Sequence, residues 1–171
     1  MSVLEIIKSR RSVRDFADRE LPEEAVDALI EALRWAPSAG NLQSRKFYFV
    51  FNRDRKKRLV KAASNQKFIA DAPLAVVACL DRRIASRYGD RGVSLYAIQD
   101  VAASVMNMML VAHELGLGSV WVGWFNEFGV FEALSLPDNL RPVAIIPVGY
   151  PAAAPKPTPR VSPREAVEFM K

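Results

Sequence analysis

The 171-residue sequence has little of the side-chain chemistry on which most hydrolytic and metal-dependent enzymes rely. It contains one histidine, His113, and one cysteine, Cys79. Because a Ser-His-Asp triad or a zinc site needs more of these groups, the sequence predicts no metal site and no side-chain nucleophile. Cys79 stands inside an apolar run without a disulfide partner, and His113 belongs to an apolar helical pattern. We therefore expect a buried thiol and a buried, hydrogen-bonded imidazole.

Several longer patterns are also missing. The sequence has no G-x-x-x-x-G-K-[ST] loop, and the glycines of "GLGSVWVG" follow a helical pattern and precede a strand pattern, the reverse of a dinucleotide-binding turn. No apolar run reaches the ~18 residues of a membrane span, and the N-terminus lacks the pattern of a secretory signal. We expect a cytoplasmic protein without membrane contact, and any redox chemistry to be carried by a bound cofactor.

What the sequence does have is positive charge. Its formal net charge is +5 and its pI is about 9.6, which indicates an anionic partner such as nucleic acid or a phosphorylated small molecule. A nucleic-acid-binding module is the weaker alternative, because no recognition helix, RNP-like strand or zinc finger is evident and the arginine pairs are dispersed. We expect no nucleic acid among the partners.

The densest cluster of charge is "RRSVRDF", which begins at Arg10. In an extended segment, Arg10, Ser12 and Arg14 project to the same side. Two guanidinium groups that flank a hydroxyl suit a phosphate and a neighbouring anionic group. From this segment alone, a solvated basic loop paired with Asp18 or Glu20 is an equal alternative.

The apolar periodicity predicts a mixed order of helices and strands in one domain, residues 1–171, with about four strands. The predicted strands are 46–51, 74–80, 119–125 and 143–150. A capping box at Ser2 and Glu5 predicts a short first helix, and Val26, Leu29, Ile30 and Leu33 at helical spacing predict a second helix before the first strand. Further helical patterns separate the strands, and the longest, "LYAIQDVAASVMNMMLVAHELGLG", predicts a central buried helix. Five prolines within residues 151–163 predict an extended arm that needs a surface to lie against, followed by a helical turn or two.

A second candidate binding segment is "APSAGNLQS", residues 36–44. Its turn residues leave backbone groups unpaired, and Asn41 and Gln43 offer both hydrogen-bond donors and acceptors. Such a loop can bind the edge of a planar heterocycle. The alternative is an ordinary connection between a helix and a strand.

Five stretches together resemble the FMN-dependent nitroreductase family, in the same order and along nearly the whole chain: "RRSVRDF", "APSAGNLQS", "NQKFIADAP", "YAIQDVAASVMNMMLVAHELGLGSVWVGWF" and "LRPVAIIPVGYP". The resemblance implies a nitroreductase-like α+β fold with a central, mixed but mostly antiparallel sheet flanked by helices. It also implies an interlocked homodimer with FMN in two interface sites. The arm at 151–163 would then cross to the partner subunit.

The resemblance also assigns the cofactor-binding residues. Arg10 and Ser12 hold the FMN phosphate together with Arg160, and Arg11 lies alongside. The residues assigned to the flavin ring come from several segments: Arg14 at its pyrimidine end, Asn65 beside it, the Gly123 and Trp124 backbone near the reactive N5, and, from the partner chain, Pro37, Ser38 and Asn41.

The implied reaction is ping-pong hydride transfer. NADH or NADPH reduces the flavin and leaves, and a nitroaromatic or quinone-like acceptor then takes its place, with no catalytic side chain. A flavin-dependent dehydrogenase, a dehalogenase or a flavin-consuming enzyme on the same fold is the alternative.

The sequence departs from the family pattern in three places. Phe68 stands where some nitroreductases have a lysine toward the flavin, so no lysine role is assigned there. Gln43-Ser44-Arg45 stands where many relatives have Gln-Pro-Trp. Residues 81–94, "DRRIASRYGDRGVS", are short, polar and arginine-rich, and we expect a solvated loop there. The alternative is a binding surface for an anionic acceptor or for the phosphates of the nicotinamide cofactor.

Overall fold

A strand that is buried along its whole length, β2 (Leu74–Asp81), forms the centre of the fold in the computed structural model, which describes residues 1–170. Its β-branched and apolar side chains suit a strand covered on both faces. The sheet has the order β1-β2-β4-β3, and its other strands are β1 (Arg45–Val50), β3 (Gly118–Ser119) and β4 (Leu140–Gly149). All three pairings between these strands are antiparallel, and the isolated Ser12–Ser119 bridge is parallel.

Helices cover both faces of this sheet. In chain order the helices are α1 (Val3–Ser9), α2 (Glu23–Arg34), α3 (Arg53–Ala62), α4 (Phe68–Asp71), α5 (Ala85–Arg91), α6 (Ala97–Glu114), α7 (Glu127–Leu134) and α8 (Pro163–Ala166). One core packs α2 and α6 against the sheet, and the other packs α3 and α7 against its opposite face. The predicted α+β fold with a four-stranded sheet flanked by helices is confirmed.

The local signals for the first two helices correspond to observed contacts. Ser2 and Glu5 form the capping box at the start of α1, in which the Glu5 amide donates to Ser2 Oγ and the Ser2 amide donates to Glu5 Oε2. In α2, Leu29 and Leu33 lie one turn apart and both are buried. These contacts explain why short stretches of sequence were sufficient to predict both helices.

The predicted strand at 119–125 is wrong over most of its length. Only Gly118 and Ser119 form a strand, and a single bridge joins Val122 to Ile145. The apolar run at 119–125 therefore does not form a continuous hydrogen-bonded strand along β4. Trp121 and Trp124 are 38% and 77% exposed, so neither ring lies in the core.

The arginine-rich stretch after β2 is helical, which corrects the expected solvated loop. A 3-10 turn (Arg82–Ile84), α5 and a π-helical turn (Gly92–Tyr96) lead directly into α6. Buried Ile84 anchors the stretch to the core, and the rings of Tyr88 and Tyr96 pack edge to face at 5.4 Å. These contacts give a polar sequence enough buried surface to form ordered helix.

Residues Arg82–Glu114 form one helical stretch that is long and apolar enough to cross a membrane by length and composition, with a mean hydropathy of 1.4 over its most apolar window. Of that window, 44% is buried inside the fold, and Val101, Val105 and Met108 are core residues. A core helix meets the same criterion, so this is weak evidence for a membrane span.

The C-terminal segment leaves the sheet after Pro151. Residues 152–162 form neither helix nor strand and are exposed. The final helical pattern gives only the short α8, which begins with a capping box between Ser162 and Glu165, and Val167 is already extended. The structure therefore has a single turn where the sequence predicted a helical turn or two.

Cys79 lies in the middle of β2, where burial raises the pKa of its thiol to about 12. At pH 8 roughly one molecule in 10,000 carries the thiolate. We predict that iodoacetamide leaves the native protein unmodified and modifies Cys79 after unfolding in denaturant, as mass spectrometry would detect. Rapid modification without denaturant would contradict the buried position.

Candidate functional site

The arginine-rich segment runs extended from the end of α1 and lies against β3. The amide of Val13 donates to Ser119 O at 3.0 Å, and Ser12 forms the parallel bridge to Ser119. The Val13 side chain is buried, whereas Ser12 and Arg14 are exposed. The predicted alternation of side chains is therefore present, with the apolar side chain facing inward.

This segment forms one wall of a cavity of about 450 Å³. Residues 10–15 line the first wall, and the extended C-terminal segment lines the other with 153–156, Thr158 and Arg160. The predicted residues Arg10, Arg11, Ser12, Arg14 and Arg160 are thus brought together. Lys156 also lines the cavity and was missed, although a basic residue four positions before Arg160 in the same extended arm was a usable signal.

Positive charge dominates this cavity, since five basic residues line it together with one carboxylate, Asp15. Arg10 Nη1 is buried without a hydrogen-bond partner, and no ion pair within residues 1–170 involves Arg10, Arg14 or Arg160. Burial, followed by repulsion from Arg160 and Arg11, lowers the pKa of Arg10. An unpaired buried cation is costly, so the cavity favours an anionic ligand.

Arg11 adds to this positive potential, and the neighbouring His113 is affected by it. Arg11 Nη1 donates to Lys8 O at 2.6 Å and to Arg10 O at 2.8 Å, so this side chain caps the end of α1. His113 Nε2 lies 2.8 Å from Ser9 Oγ, which confirms a hydrogen-bonded, though only half-buried, imidazole. Burial, Arg10 and Arg11 together lower the pKa of His113, which indicates a cationic field around the cavity.

Three of the residues assigned to the ring lie just after regular elements in the chain. Asn65 follows α3, and Gly123 and Trp124 follow β3. Gln66 Nε2 donates to Ala63 O at 3.0 Å and to Trp124 O at 3.3 Å, which links the segment around Asn65 to the segment around Gly123. Asn65 has a left-handed backbone with φ 59°. Phe68 then packs against the small core of Val13, Phe16 and Ala72 behind the arginine segment.

The remaining candidates lie on a separate loop between α2 and β1. Pro37, Ser38 and Asn41 do not line the arginine cavity within this chain. Ser38 Oγ accepts from the amide of Gln43 at 3.0 Å, and Asp100 Oδ1 accepts from the amide of Ala39 at 2.9 Å. One chain therefore presents the candidate residues on two separate surfaces.

A basic cavity of this kind suits a phosphorylated or otherwise anionic ligand. The chain belongs to the nitroreductase family, whose model matches residues 7–150. A relative from Methanothermobacter thermautotrophicus with the provisional name NADH dehydrogenase/NAD(P)H nitroreductase is 35% identical over 159 residues, which cover 91% of this chain and 80% of that protein.

Solved structures agree with this assignment. Nitroreductase A from Vibrio parahaemolyticus is 27% identical with a TM-score of 0.92, covering 100% of this chain and 76% of that one. The NADPH:FMN oxidoreductase from Vibrio harveyi, solved in complex with NAD+, is 26% identical with a TM-score of 0.90, covering 99% of this chain and 77% of that one.

The arginine segment depends on a close contact with β3. A Cβ added at Gly118 would lie 2.6 Å from Val13 Cγ2, closer than real side-chain contacts allow. We predict that Gly118→Ala destabilises the fold by about 1–3 kcal/mol in urea unfolding, because it displaces the segment that holds Val13. Combining Gly118→Ala with Val13→Gly removes all the Val13 side-chain atoms that the added methyl would meet, including Cβ at 2.7 Å, so the double variant should be more stable than the sum of the two single changes. A strictly additive double variant would contradict this contact.

Proposed function

We propose that this protein is an FMN-dependent oxidoreductase that takes reducing equivalents from NADH or NADPH and passes them to nitroaromatic or quinone-like acceptors. The observation that carries the proposal is the half-buried Arg10, whose buried Nη1 has no hydrogen-bond partner, in a basic cavity of a nitroreductase-family chain. The names of its relatives support it, since they describe an NAD(P)H nitroreductase and an NADPH:FMN oxidoreductase. A cytoplasmic location, where NADH and NADPH are available, fits this function.

The residues present fit the phosphate of FMN. A phosphate offers several anionic oxygens, and Arg10, Ser12 and Arg160 face one cavity with few protein partners for their donors. Arg160 Nη1 is held by Thr158 Oγ1 at 2.8 Å, which orients its guanidinium at the cavity wall. Arg10, Ser12 and Arg160 would therefore hold the phosphate, with Arg11 fixing the end of α1 beside them.

FMN supplies the redox chemistry when bound, because it accepts a hydride from a nicotinamide and transfers it to the second substrate. The chain contributes binding, orientation and charge. Arg14 lies four positions from Arg10 on the same cavity wall, and its cation would stabilise the negative charge of a reduced ring. Asn65 and the backbone of Gly123 and Trp124 would contact the ring from the adjoining segments.

We infer that the protein acts as a homodimer in which Pro37, Ser38 and Asn41 of one chain complete the site of the other. Two observations support a second copy. The loop that carries these residues lies away from the arginine cavity of its own chain. In addition, large apolar side chains are exposed on α1, at the end of α2, on α6 and in the C-terminal tail, as an uncovered interface would require: Val3, Leu4, Ile7, Trp35, Met106 and Phe169.

The extended arm is the element that we expect to cross to the partner. Residues 152–162 make no regular structure in their own chain, and β1 is an edge strand of the sheet. Exposed edges and apolar tails are stabilised when another chain covers them. The arm at 151–163 would thus link dimer formation to the cavity that contains Arg160.

Two other functions are less well supported. A dehydrogenase, a dehalogenase or a flavin-consuming reaction would use the same cofactor cavity, but the relatives' names describe reductases. A nucleic-acid-binding role would require basic side chains arranged along an open surface. Here Arg10, Arg14, Lys156 and Arg160 converge on one cavity.

The experiment that tests the proposed function is anaerobic reduction of the FMN-reconstituted protein. We predict that NADH, NADPH or both bleach the visible flavin band, and that a nitroaromatic compound or a quinone then restores it, since a ping-pong enzyme separates the two half-reactions. Free FMN at the same concentration is the control. A bound flavin that neither dinucleotide bleaches would contradict a pyridine-nucleotide-linked enzyme.

Deletion of residues 152–171 tests the role of the arm. The truncated protein should dissociate to monomers in analytical ultracentrifugation and lose FMN, because it lacks both the crossing segment and Arg160. The full-length variant Lys156→Ala with Arg160→Ala is the matched control, and it should bind FMN weakly but remain dimeric. A truncated protein that stays dimeric would refute the crossing arm.

A further inference from the structure

The loop between α2 and β1 has an unfavourable backbone. Within four positions, Gly40, Asn41 and Gln43 have φ values of 53°, 54° and 51°. Left-handed conformations are costly for residues other than glycine, and such strain persists only where the surrounding contacts fix it. The conformation of this loop therefore needs a structural cause outside the loop itself.

Arg45 supplies one part of that cause. Its guanidinium donates hydrogen bonds to four backbone carbonyl groups. Nη1 donates to Pro37 O at 2.9 Å and to Asp100 O at 3.3 Å. Nη2 donates to Ala36 O at 2.6 Å and to Arg34 O at 3.2 Å. The planar, multi-donor geometry of arginine suits this arrangement, and no other side chain matches it. Arg45 thereby fixes the end of α2 and the start of the loop.

Asp100 supplies the other part. This α6 residue is 6% exposed, and its Oδ1 accepts from the amide of Ala39 at 2.9 Å. Its Oδ2 is buried and has no hydrogen-bond partner among residues 1–170. The carboxylate lies close enough to Arg45 to favour the charged guanidinium, against the effect of burial. The half-buried guanidinium of Arg45 and the buried carboxyl group of Asp100 therefore hold the Pro37 carbonyl and the Ala39 amide, on either side of Ser38.

We propose that Arg45 and Asp100 are positioning residues that set the 37–43 loop in its ligand-binding shape before the flavin ring binds. The proposal rests on the proposed function, because it assigns the ring to this loop. Neither residue touches the cofactor. A loop that is ordered in advance binds more tightly because less conformational entropy is lost on binding.

The first test is hydrogen exchange of the apo-protein, which needs no flavin. Arg45→Met should accelerate exchange at the amides of Ala39, Asn41 and Gln43 by about tenfold or more, because these donors lose a fixed loop. Arg34→Met is the matched control, since the Arg34 side chain makes a surface ion pair with Glu31 and its backbone carbonyl is kept in the variant. It should leave these amides unchanged. Equal protection in Arg45→Met and wild type would overturn the proposal.

The second test separates ring binding from phosphate binding. Arg45→Met should weaken FMN and riboflavin binding by the same factor, about tenfold or more, in fluorescence titrations. A loss confined to FMN would place Arg45 with the phosphate and refute the proposal. Arg45→Lys keeps the charge but not the planar group, so it should fold and lose affinity for both ligands. Asp100→Asn keeps an oxygen acceptor for the Ala39 amide and should lose less than Arg45→Met.

The two tests fail in distinguishable ways. If the wild-type protein binds neither FMN nor riboflavin, the proposed function is wrong, and the exchange comparison still decides whether Arg45 holds the loop. If flavin binds normally to Arg45→Met while the loop amides exchange quickly, the loop is held by Arg45 but does not position the ring, and the proposal is overturned.

Discussion

The proposed site depends on a cluster of arginine side chains that form no ion pairs with the described part of the protein. Arg10, Arg14 and Arg160 line one cavity without an ion pair among residues 1–170, and one buried nitrogen of Arg10 has no acceptor. Burying such a group costs stability unless an anion completes it. Packing and strand pairing elsewhere in the fold offset that unfavourable free energy, because they fix the segment that carries the arginines.

The fixation can be followed from the core outward. Strand β2 is buried on both faces and aligns β4, and the end of β4 pairs with β3. The short β3 then holds the arginine segment through the amide of Val13, while Gly118 allows Val13 to pack against its backbone. From β3 the chain continues to Trp124, which Gln66 joins to the neighbourhood of Asn65. One short strand therefore connects the proposed phosphate site to the proposed ring site.

Local sequence signals predicted the elements whose causes are local. The Ser2–Glu5 capping box, the apolar stripe of α2 and the β-branched run of β2 are each visible within about ten residues. The errors have tertiary causes. The apolar run at 119–125 does not show that only Ser119 and Val122 of those residues pair with β4. The polar stretch at 82–96 does not show that Ile84 reaches the core.

The candidate site divides in the same way. The density of arginines in "RRSVRDF" was enough to predict an anion site, because neighbouring positions in an extended segment must lie close together. The contribution of the arm required knowledge of where residues 153–160 fold back, and sequence reasoning therefore missed Lys156. The role of Arg45 was not predictable, since its four carbonyl partners come from two segments that are distant in sequence, residues 34–37 and α6.

The most direct test of the central claim is a comparison of FMN and riboflavin, which differ only in the phosphate. The account predicts that the apo-protein binds FMN at least about 100-fold more tightly than riboflavin, because charge-assisted hydrogen bonds contribute roughly 1.5–3 kcal/mol each. In Arg10→Ala with Arg160→Ala most of this difference should disappear while riboflavin affinity is unchanged. Equal binding of the two flavins by the wild-type protein, or full FMN affinity in the double variant, would contradict the assignment of the arginine cavity to a phosphate.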